Sequence, residues 1–163
     1  MLYREVPKRP PPSPAPGEGL NLVERFVEGN IDILNGAPAH ICQGDFQPSN
    51  LIVRDGELVG IIDFNRSYFG DPIEDHSRLP WTLLTRGPHF SVGALQGYLE
   101  AGRPEDFWRR YTFYVALNFA ARLPLVPRFF EGDPESWSAA AQSLIDDHDF
   151  AEGGPPQWWP ESD

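Results

Sequence analysis

The chain has 163 residues, a formal net charge of −11, eleven Phe and five Trp, which is enough for one folded domain with an apolar core. The acidity argues against nucleic acid and anionic membranes as partners, because both are bound through Lys and Arg. It would suit a cationic small-molecule substrate, although acidity also serves solubility. The single cysteine, Cys42, rules out an internal disulfide, and the sequence shows neither a signal-like start nor an apolar run of membrane-spanning length. We therefore expect a cytoplasmic protein.

Helical patterns follow a proline-rich start. Residues 1–20 contain PKRPPPSPAPGEG and are predicted to form an extended linker or extension. A helix is then predicted from Asn21, its possible cap, with Leu22, Phe26 and Val27 near helical spacing. Asp71 is the predicted cap of a further helix that starts at Pro72 and bends or stops near Pro80. Other helices are predicted from Phe90 to Ala101, from Pro104 to about Leu123, and from Pro134 onward. Residues 151–163 are predicted to be a loose tail in which Trp158 or Trp159 could dock. The expected fold class is α+β, mostly α.

A β-hairpin is predicted between the first two helices. The apolar runs Asn50–Val53 and Leu58–Ile62 flank Asp55-Gly56, the strongest short hairpin signal. With a two-residue loop, Arg54 faces Glu57, Asn50 faces Ile61, and Asp63 lies diagonally across from Asn50. Diagonal neighbours are roughly 7–8 Å apart at the backbone, so two such side chains could share one metal ion. A slip of one residue would send them to opposite faces.

Three residues around this hairpin suit phosphoryl transfer. Magnesium takes oxygen ligands from one or two protein groups and from substrate phosphates. A hydroxyl nucleophile needs a carboxylate that orients it and accepts its proton. The order Asp45, Asn50 and Asp63 offers both functions. Taken singly, each residue is also explained by turn or cap chemistry, which favours Asp and Asn.

The stretch from Ile41 to Pro72 resembles the catalytic core of the aminoglycoside phosphotransferase and choline kinase group, small-molecule kinases with a protein-kinase-like fold. Members of this group carry H-G-D, then N after four residues, a hairpin, I-D-F or I-D-W, and G-D-P before a helix. The corresponding residues here are Gln43-Gly44-Asp45, Asn50, Ile62-Asp63-Phe64 and Gly70-Asp71-Pro72. The resemblance implies a C-terminal lobe over residues 21–150: a helical domain with a small catalytic β-hairpin.

This resemblance implies an ATP-dependent kinase for a small-molecule hydroxyl, with Mg²⁺ as cofactor. Asp45 would be the catalytic base, and Asn50 and Asp63 would hold Mg²⁺ at the nucleotide phosphates. The other implied roles are a floor for the adenine ring from Ile52 and Ile62, and structural support from Gln43 and Asp75. For Asp75, a first-turn charge that complements the helix dipole is an equal alternative.

Two departures from the family pattern keep a second function open. Gln43 replaces the family histidine, and no strand-rich region precedes Asn21 to form an N-lobe. The chain's one lysine, Lys8, lies in the proline-rich segment. We therefore expect the N-lobe to be absent, as in a truncated product, a misassigned start, a degenerate copy or a chain with a separately encoded partner. The alternative is a non-catalytic, pseudokinase-like C-lobe that binds a ligand or a partner chain.

Overall fold

The computed structural model describes residues 16–122 and 134–160. Within these residues the chain forms five α-helices and four short strands. The helices are α1 Pro16–Gly29, α2 Leu79–Arg86, α3 Pro88–Leu99, α4 Phe107–Arg122 and α5 Pro134–Asp146. The strands are β1 His40–Cys42, β2 Leu51–Arg54, β3 Glu57–Ile61 and β4 Tyr68–Gly70. The predicted mixed, helix-rich composition is thereby confirmed.

Helix α4 forms the centre of the core. It is buried nearly all round, as expected for an apolar helix enclosed by other elements. It packs against α1 and against the 3₁₀ helix Pro72–Arg78, while α2 packs on α3. The buried side chains of α4 are Phe107, Tyr111, Phe113, Tyr114, Val115, Ala116 and Phe119. This core holds the 3₁₀ helix beneath the loop that contains Asp45.

The first helix begins earlier than predicted. Helix α1 starts at Pro16, so Asn21 is not its cap and residues 16–20 are not an extended linker. Proline is compatible with a first helical turn, since the N–H that it lacks has no partner there. Residues 1–15 of the predicted linker lie outside the described residues.

The predicted helix after Asp71 consists of two segments. Asp71 caps the 3₁₀ helix Pro72–Arg78, accepting a hydrogen bond at Oδ1 from the Ile73 amide at 3.0 Å. Of the two outcomes predicted near Pro80, a bend or a stop, the helix does not stop: the 3₁₀ helix ends at Arg78 and α2 continues from Leu79 to Arg86. Pro80 lies in the first turn of α2, where no backbone N–H is required.

The C-terminal segment is packed, which corrects the predicted loose tail for residues 151–160 and agrees with the docking suggested for Trp158 or Trp159. Trp158 is buried, and the Gln157 amide donates to the Asp147 carbonyl at 2.8 Å. The rings of Trp159 and Trp108 lie 4.9 Å apart. Burial of these large rings stabilises the segment despite its proline and glycine content. Residues 161–163 lie outside the described residues.

The strands form two separate antiparallel pairs, β1 with β4 and β2 with β3. The β1–β4 pair was not predicted; its register joins His40 to Gly70. In the β2–β3 hairpin, Arg54 pairs with Glu57 as predicted, and Asp55 and Gly56 form the loop with φ of 53° and 83°.

The predicted register fails further along the same hairpin. Leu51, not Asn50, pairs with Ile61, because a bulge between Ile52 and Val53 adds one residue to the opposite strand. The extra residue is Val59, since Ile52 pairs with Gly60 and Val53 with Leu58. Ile62 therefore lies opposite Asn50. Asp63 is the next residue after Ile62 and is not the predicted diagonal neighbour of Asn50.

Candidate active site

The loop from Gln43 to Gln47 is held from below by Asp75. The two carboxylate oxygens of Asp75 accept hydrogen bonds from the backbone amides of Gln43 and Gly44, each at 2.7 Å. Gly44 has φ of +80°, and a Cβ there would lie 2.0 Å from the Arg66 carbonyl oxygen. The position therefore requires glycine for its conformation and for the close approach of Arg66.

The side chain of Gln43 joins this loop to the end of the hairpin. Its Nε2 donates to the carbonyl oxygens of Ile62 at 3.0 Å and Asp63 at 2.9 Å. Its Oε1 accepts from the Asp45 amide at 2.6 Å. Gln43 is buried, so these three bonds replace water that its amide would otherwise bind. The backbones of Asp45 and Asp63 are thus tied to one side chain.

Asn50 also joins the loop to the end of the hairpin. Its side chain is buried, and Nδ2 donates to the Asp45 carbonyl at 2.9 Å. Its backbone carbonyl accepts from the Ile62 amide at 2.9 Å. Because the amide nitrogen is used as a donor to Asp45, Oδ1 is the side-chain atom that could coordinate a cation.

Asp63 has an unusual backbone conformation. Its φ and ψ are both 60°, in the left-handed region that is uncommon outside glycine. The side chain is exposed, and Oδ1 accepts from Nδ2 of Asn65 at 2.8 Å. Such conformations cost free energy and occur often at binding and catalytic sites.

Two residues that sequence reasoning missed contact the side chain of Asp45. Arg78 forms an ion pair with Oδ1, and Gln47 Nε2 donates to Oδ2 at 3.1 Å. The pair is partly buried, with 18% of the Asp45 side chain and 23% of the Arg78 side chain exposed. The three-residue spacing between Asp75 and Arg78 could have indicated that Arg78 faces the loop, because residues three apart in a 3₁₀ helix lie on the same face. This signal was missed because the sequence predicted an ordinary helix there.

The two predicted adenine-contact residues lie on one face of the hairpin. Ile52 pairs with Gly60, and Ile62 follows two positions later, where side chains return to the same face. Their exposed fractions are 45% and 46%. Gly60 contributes no side chain between them, so this part of the face is flat.

The hairpin and its neighbouring strands expose a larger apolar surface. Neighbouring residues on a strand point to opposite faces, so Ile52 and Val53 lie on opposite faces of the hairpin, and Phe69 belongs to the separate β1–β4 pair. We call these residues the exposed apolar group. Its residues are Ile41, Ile52, Val53, Leu58, Val59, Ile61, Ile62, Phe64 and Phe69.

Cys42 lies beside the loop but has the properties of a packing residue. It is buried, and its Sγ donates to the Gly70 carbonyl at 3.4 Å across the β1–β4 pair. Burial raises the pKa of the Cys42 thiol and also that of the nearby Glu74 carboxyl. A thiol kept protonated is a poor nucleophile.

The two predicted metal ligands, Asn50 and Asp63, both carry oxygen donors. Asp63 offers an exposed carboxylate, and Asn50 offers Oδ1; these are hard ligands of the kind that magnesium prefers. Across residues 16–122 and 134–160, no group of three or more His, Cys, Asp or Glu side chains is arranged to hold a metal ion. The register of the hairpin does not make these two residues the diagonal pair that the sequence predicts. The oxygen chemistry of each residue matches a magnesium ion that takes its other ligands from phosphates and water, as magnesium usually does.

The sequence model of the phosphotransferase enzyme family matches residues 12–114. The match covers more than half of the chain and includes the whole loop, the hairpin and the 3₁₀ helix described above. The chain belongs to this family. No curated protein and no solved structure matches the chain. In the part of the chain that the structure describes, no helix combines the length and apolarity needed to cross a bilayer.

Proposed function

We propose that this chain is the C-terminal lobe of an ATP-dependent, magnesium-dependent phosphotransferase that acts on a small-molecule hydroxyl. The observation that carries the proposal is the hydrogen-bonded convergence of Asp45, Asn50 and Asp63. Asn50 donates to the Asp45 carbonyl, and its own carbonyl accepts from Ile62, the residue before Asp63. These bonds connect the three segments that carry the polar residues, which supports the positioning and charge neutralisation that phosphoryl transfer requires.

Asp45 is the proposed catalytic base. Its Oδ2 accepts the proton of the substrate hydroxyl while that oxygen forms a bond to the γ-phosphorus of ATP. The bond from the γ-phosphorus to the bridging oxygen breaks, and its electron pair leaves with ADP. Asp45 then releases the proton to water. Gln43 and Asp75 fix the backbone of the loop, so the base is positioned before substrate binds.

Asn50 and Asp63 are the proposed magnesium ligands. When bound, Mg²⁺ would neutralise the charge that develops on the phosphate oxygens. The role of the chain is to hold the two oxygen donors in place. Asn50 is oriented by its bond to Asp45, and the Asp63 backbone is fixed by the bond from Gln43 to its carbonyl.

The flat part of the hairpin supports an adenine site. Adenine binds well to apolar side chains above and below its ring, and Ile52 and Ile62 flank a position without a side chain at Gly60. Their exposure leaves them accessible to a ligand. We propose that they form the floor of the nucleotide site.

The exposed apolar group supports a further part of the proposal. A β-rich lobe, on this chain or on a separately encoded partner, would cover part of this group and clamp the nucleotide from above. A variant with Val53, Leu58 and Phe69 all replaced by Thr tests whether these side chains are open to solvent. It should bind less of an apolar dye than the wild type while keeping its unfolding midpoint. A large loss of stability would show that these side chains are packed within the chain and would contradict their being open to solvent.

Mg-ATP binding and turnover by the chain test the main proposal. Asp63→Ala should abolish magnesium-dependent nucleotide binding in calorimetry. Asp45→Asn should retain binding but lose turnover by a factor of about 10²–10⁴, the usual contribution of general base catalysis. Asp55→Asn is the matched control, because Asp55 is an exposed aspartate in the hairpin loop and Asn tolerates its positive φ. Turnover unchanged in both site variants would rule out the assignment.

The acceptor is tested with a panel of alcohols. The net charge of −11 favours a cationic acceptor, so aminoglycosides and choline-like alcohols should have lower KM values than neutral sugars. The preference should weaken as salt is added, because electrostatic attraction is screened. An equal or lower KM for neutral sugars at low salt would contradict a cationic substrate class.

A further inference from the structure

The contacts of Asp45 separate into those that hold its backbone and those that hold its carboxylate. The backbone is held twice: Gln43 Oε1 accepts from the Asp45 amide at 2.6 Å, and Asn50 Nδ2 donates to the Asp45 carbonyl at 2.9 Å. Asp75 fixes the two preceding amides. These contacts leave the rotation of the carboxylate undetermined, because none of them involves Oδ1 or Oδ2.

We infer that Arg78 is a positioning residue for the proposed base, an inference that rests on the proposed function. The Arg78 guanidinium is paired with Oδ1 of Asp45. This contact fixes one carboxylate oxygen, Oδ1, and leaves Oδ2 as the oxygen proposed to meet the substrate hydroxyl. Among the described residues, Oδ2 is contacted by Gln47 Nε2 at 3.1 Å and, at a longer distance, by Asn50 Nδ2 at 3.5 Å. A carboxylate oxygen has two lone pairs and the second contact is long, so Oδ2 can still accept a hydrogen bond from a hydroxyl.

The 3₁₀ helix Pro72–Arg78 explains why one element supplies both supports. Side chains three residues apart in a 3₁₀ helix are eclipsed, so Asp75 and Arg78 face the loop together. Asp75 holds the loop backbone, and one turn later Arg78 holds the carboxylate. The helix itself is anchored to α4 through Asp71 and Arg110. The base is thus oriented from a rigid support.

This division of contacts predicts a specific kinetic effect. Removing the guanidinium leaves the bonds to the Asp45 backbone in place, so the loop should keep its structure. The carboxylate gains rotational freedom, and kcat should fall by about 10- to 100-fold, less than the full contribution of a general base. The KM for Mg-ATP should stay within about twofold, because Arg78 does not contact the proposed magnesium ligands in the structure.

The test compares Arg78→Met, Arg78→Lys and Arg78→Ala with the wild type. Lys offers a compact charge without the planar fork of Arg, so it should recover part of the lost kcat. Added guanidinium ion should raise kcat of Arg78→Ala and leave Asp45→Asn inactive, since only the first variant retains the carboxylate. Arg103→Met is the matched control, because Arg103 is exposed and lies outside the site. Circular dichroism and the unfolding midpoint verify that each variant is folded.

The outcomes separate this inference from the proposed function. An active wild type with unchanged kcat in Arg78→Met overturns the positioning role alone. So does a loss of kcat that neither lysine nor guanidinium ion restores, or a rise in KM with kcat unchanged. A wild type that transfers no phosphoryl group to any acceptor overturns the proposed function and this inference with it.

Discussion

Arg110 and Asp71 form a buried ion pair. Arg110 Nη1 lies 2.9 Å from Asp71 Oδ2, and only 6% and 1% of the two side chains are exposed. The same Oδ2 accepts from the Tyr114 hydroxyl at 3.3 Å, while Oδ1 caps the 3₁₀ helix through the Ile73 amide. One carboxylate therefore caps the helix that supports the loop containing Asp45 and attaches that helix to α4.

Breaking this pair should destabilise the protein strongly. Arg110→Met leaves Asp71 charged and without its cationic partner in the core, and this should lower the free energy of unfolding by about 3–5 kcal/mol. Urea denaturation followed by circular dichroism measures the loss. The matched control is Asp106→Asn, because Asp106 pairs with the same arginine at 3.2 Å but is 55% exposed. The control should cost at most about 1 kcal/mol. Equal losses in the two variants would contradict the importance of the buried pair.

Gly44 and Gly56 form a matched pair for testing the close approach at the loop containing Asp45. Their φ values are +80° and +83°, but only at Gly44 would a Cβ meet another atom, the Arg66 carbonyl oxygen at 2.0 Å. Gly56→Ala should cost about 1–2 kcal/mol for the left-handed backbone alone. Gly44→Ala should cost about 1–3 kcal/mol more, because the loop or the segment at Arg66 must shift. Urea denaturation of both variants gives the difference. Equal losses of stability in the two variants would mean that the segment at Arg66 shifts without a cost in free energy.

The sequence predicted the local signals well. Asp55-Gly56 gave the hairpin loop and the Arg54–Glu57 pair, because this turn has a strict backbone requirement that few residue types meet. The role of Asp71 as a helix cap could also be predicted from the sequence, because a cap is a contact between residues two or three positions apart.

What the sequence could not supply were the non-local features. The bulge at Val59 leaves no clear mark among apolar residues, and it moved the register by one residue. The pairing of β1 with β4 and the contact of Arg78 with Asp45 join residues that are about thirty positions apart. Such contacts depend on how the intervening elements pack, which no local pattern records. The candidate site residues were identified through the resemblance to a family, because hydrophobic periodicity alone does not indicate them.

Gln43 is the residue at which the chain departs from the pattern it resembles, and its contacts predict how substitutions behave. Gln43→Glu places a carboxylate against the carbonyl oxygens of Ile62 and Asp63, which then lose their donor. The variant should lose about 1–3 kcal/mol of stability, the cost of leaving buried polar groups unpaired. Gln43→His keeps one ring N–H donor and one acceptor and should lose less. Thermal and urea unfolding of the two variants give the order. A Glu variant as stable as the His variant would contradict the bridging role of the amide.

Two buried histidines predict a loss of stability in mild acid. Burial lowers the pKa of His148 to about 4, and burial likewise lowers the pKa of His76 to about 4. In the unfolded chain a histidine has a pKa of about 6.5, so between these values the unfolded state binds more protons. The stabilising contribution is therefore complete above about pH 6.5 and is lost progressively as the pH falls toward 4.

A variant at His148 should isolate its part of this pH dependence. His148 stacks on Phe150 with ring centroids 5.8 Å apart, and its Nδ1 donates to the Leu144 carbonyl at 2.8 Å. His148→Phe retains the stacking and removes the titrating group, so unfolding between pH 7 and 4.5 should depend less on pH, by up to about 3 kcal/mol over the range. The slope that remains includes the contribution of His76. Phe150→Leu is the control: it should lower stability by about 1–2 kcal/mol at every pH without flattening the dependence. A slope unchanged in His148→Phe would show that His148 is already protonated, or open to water, in the folded protein.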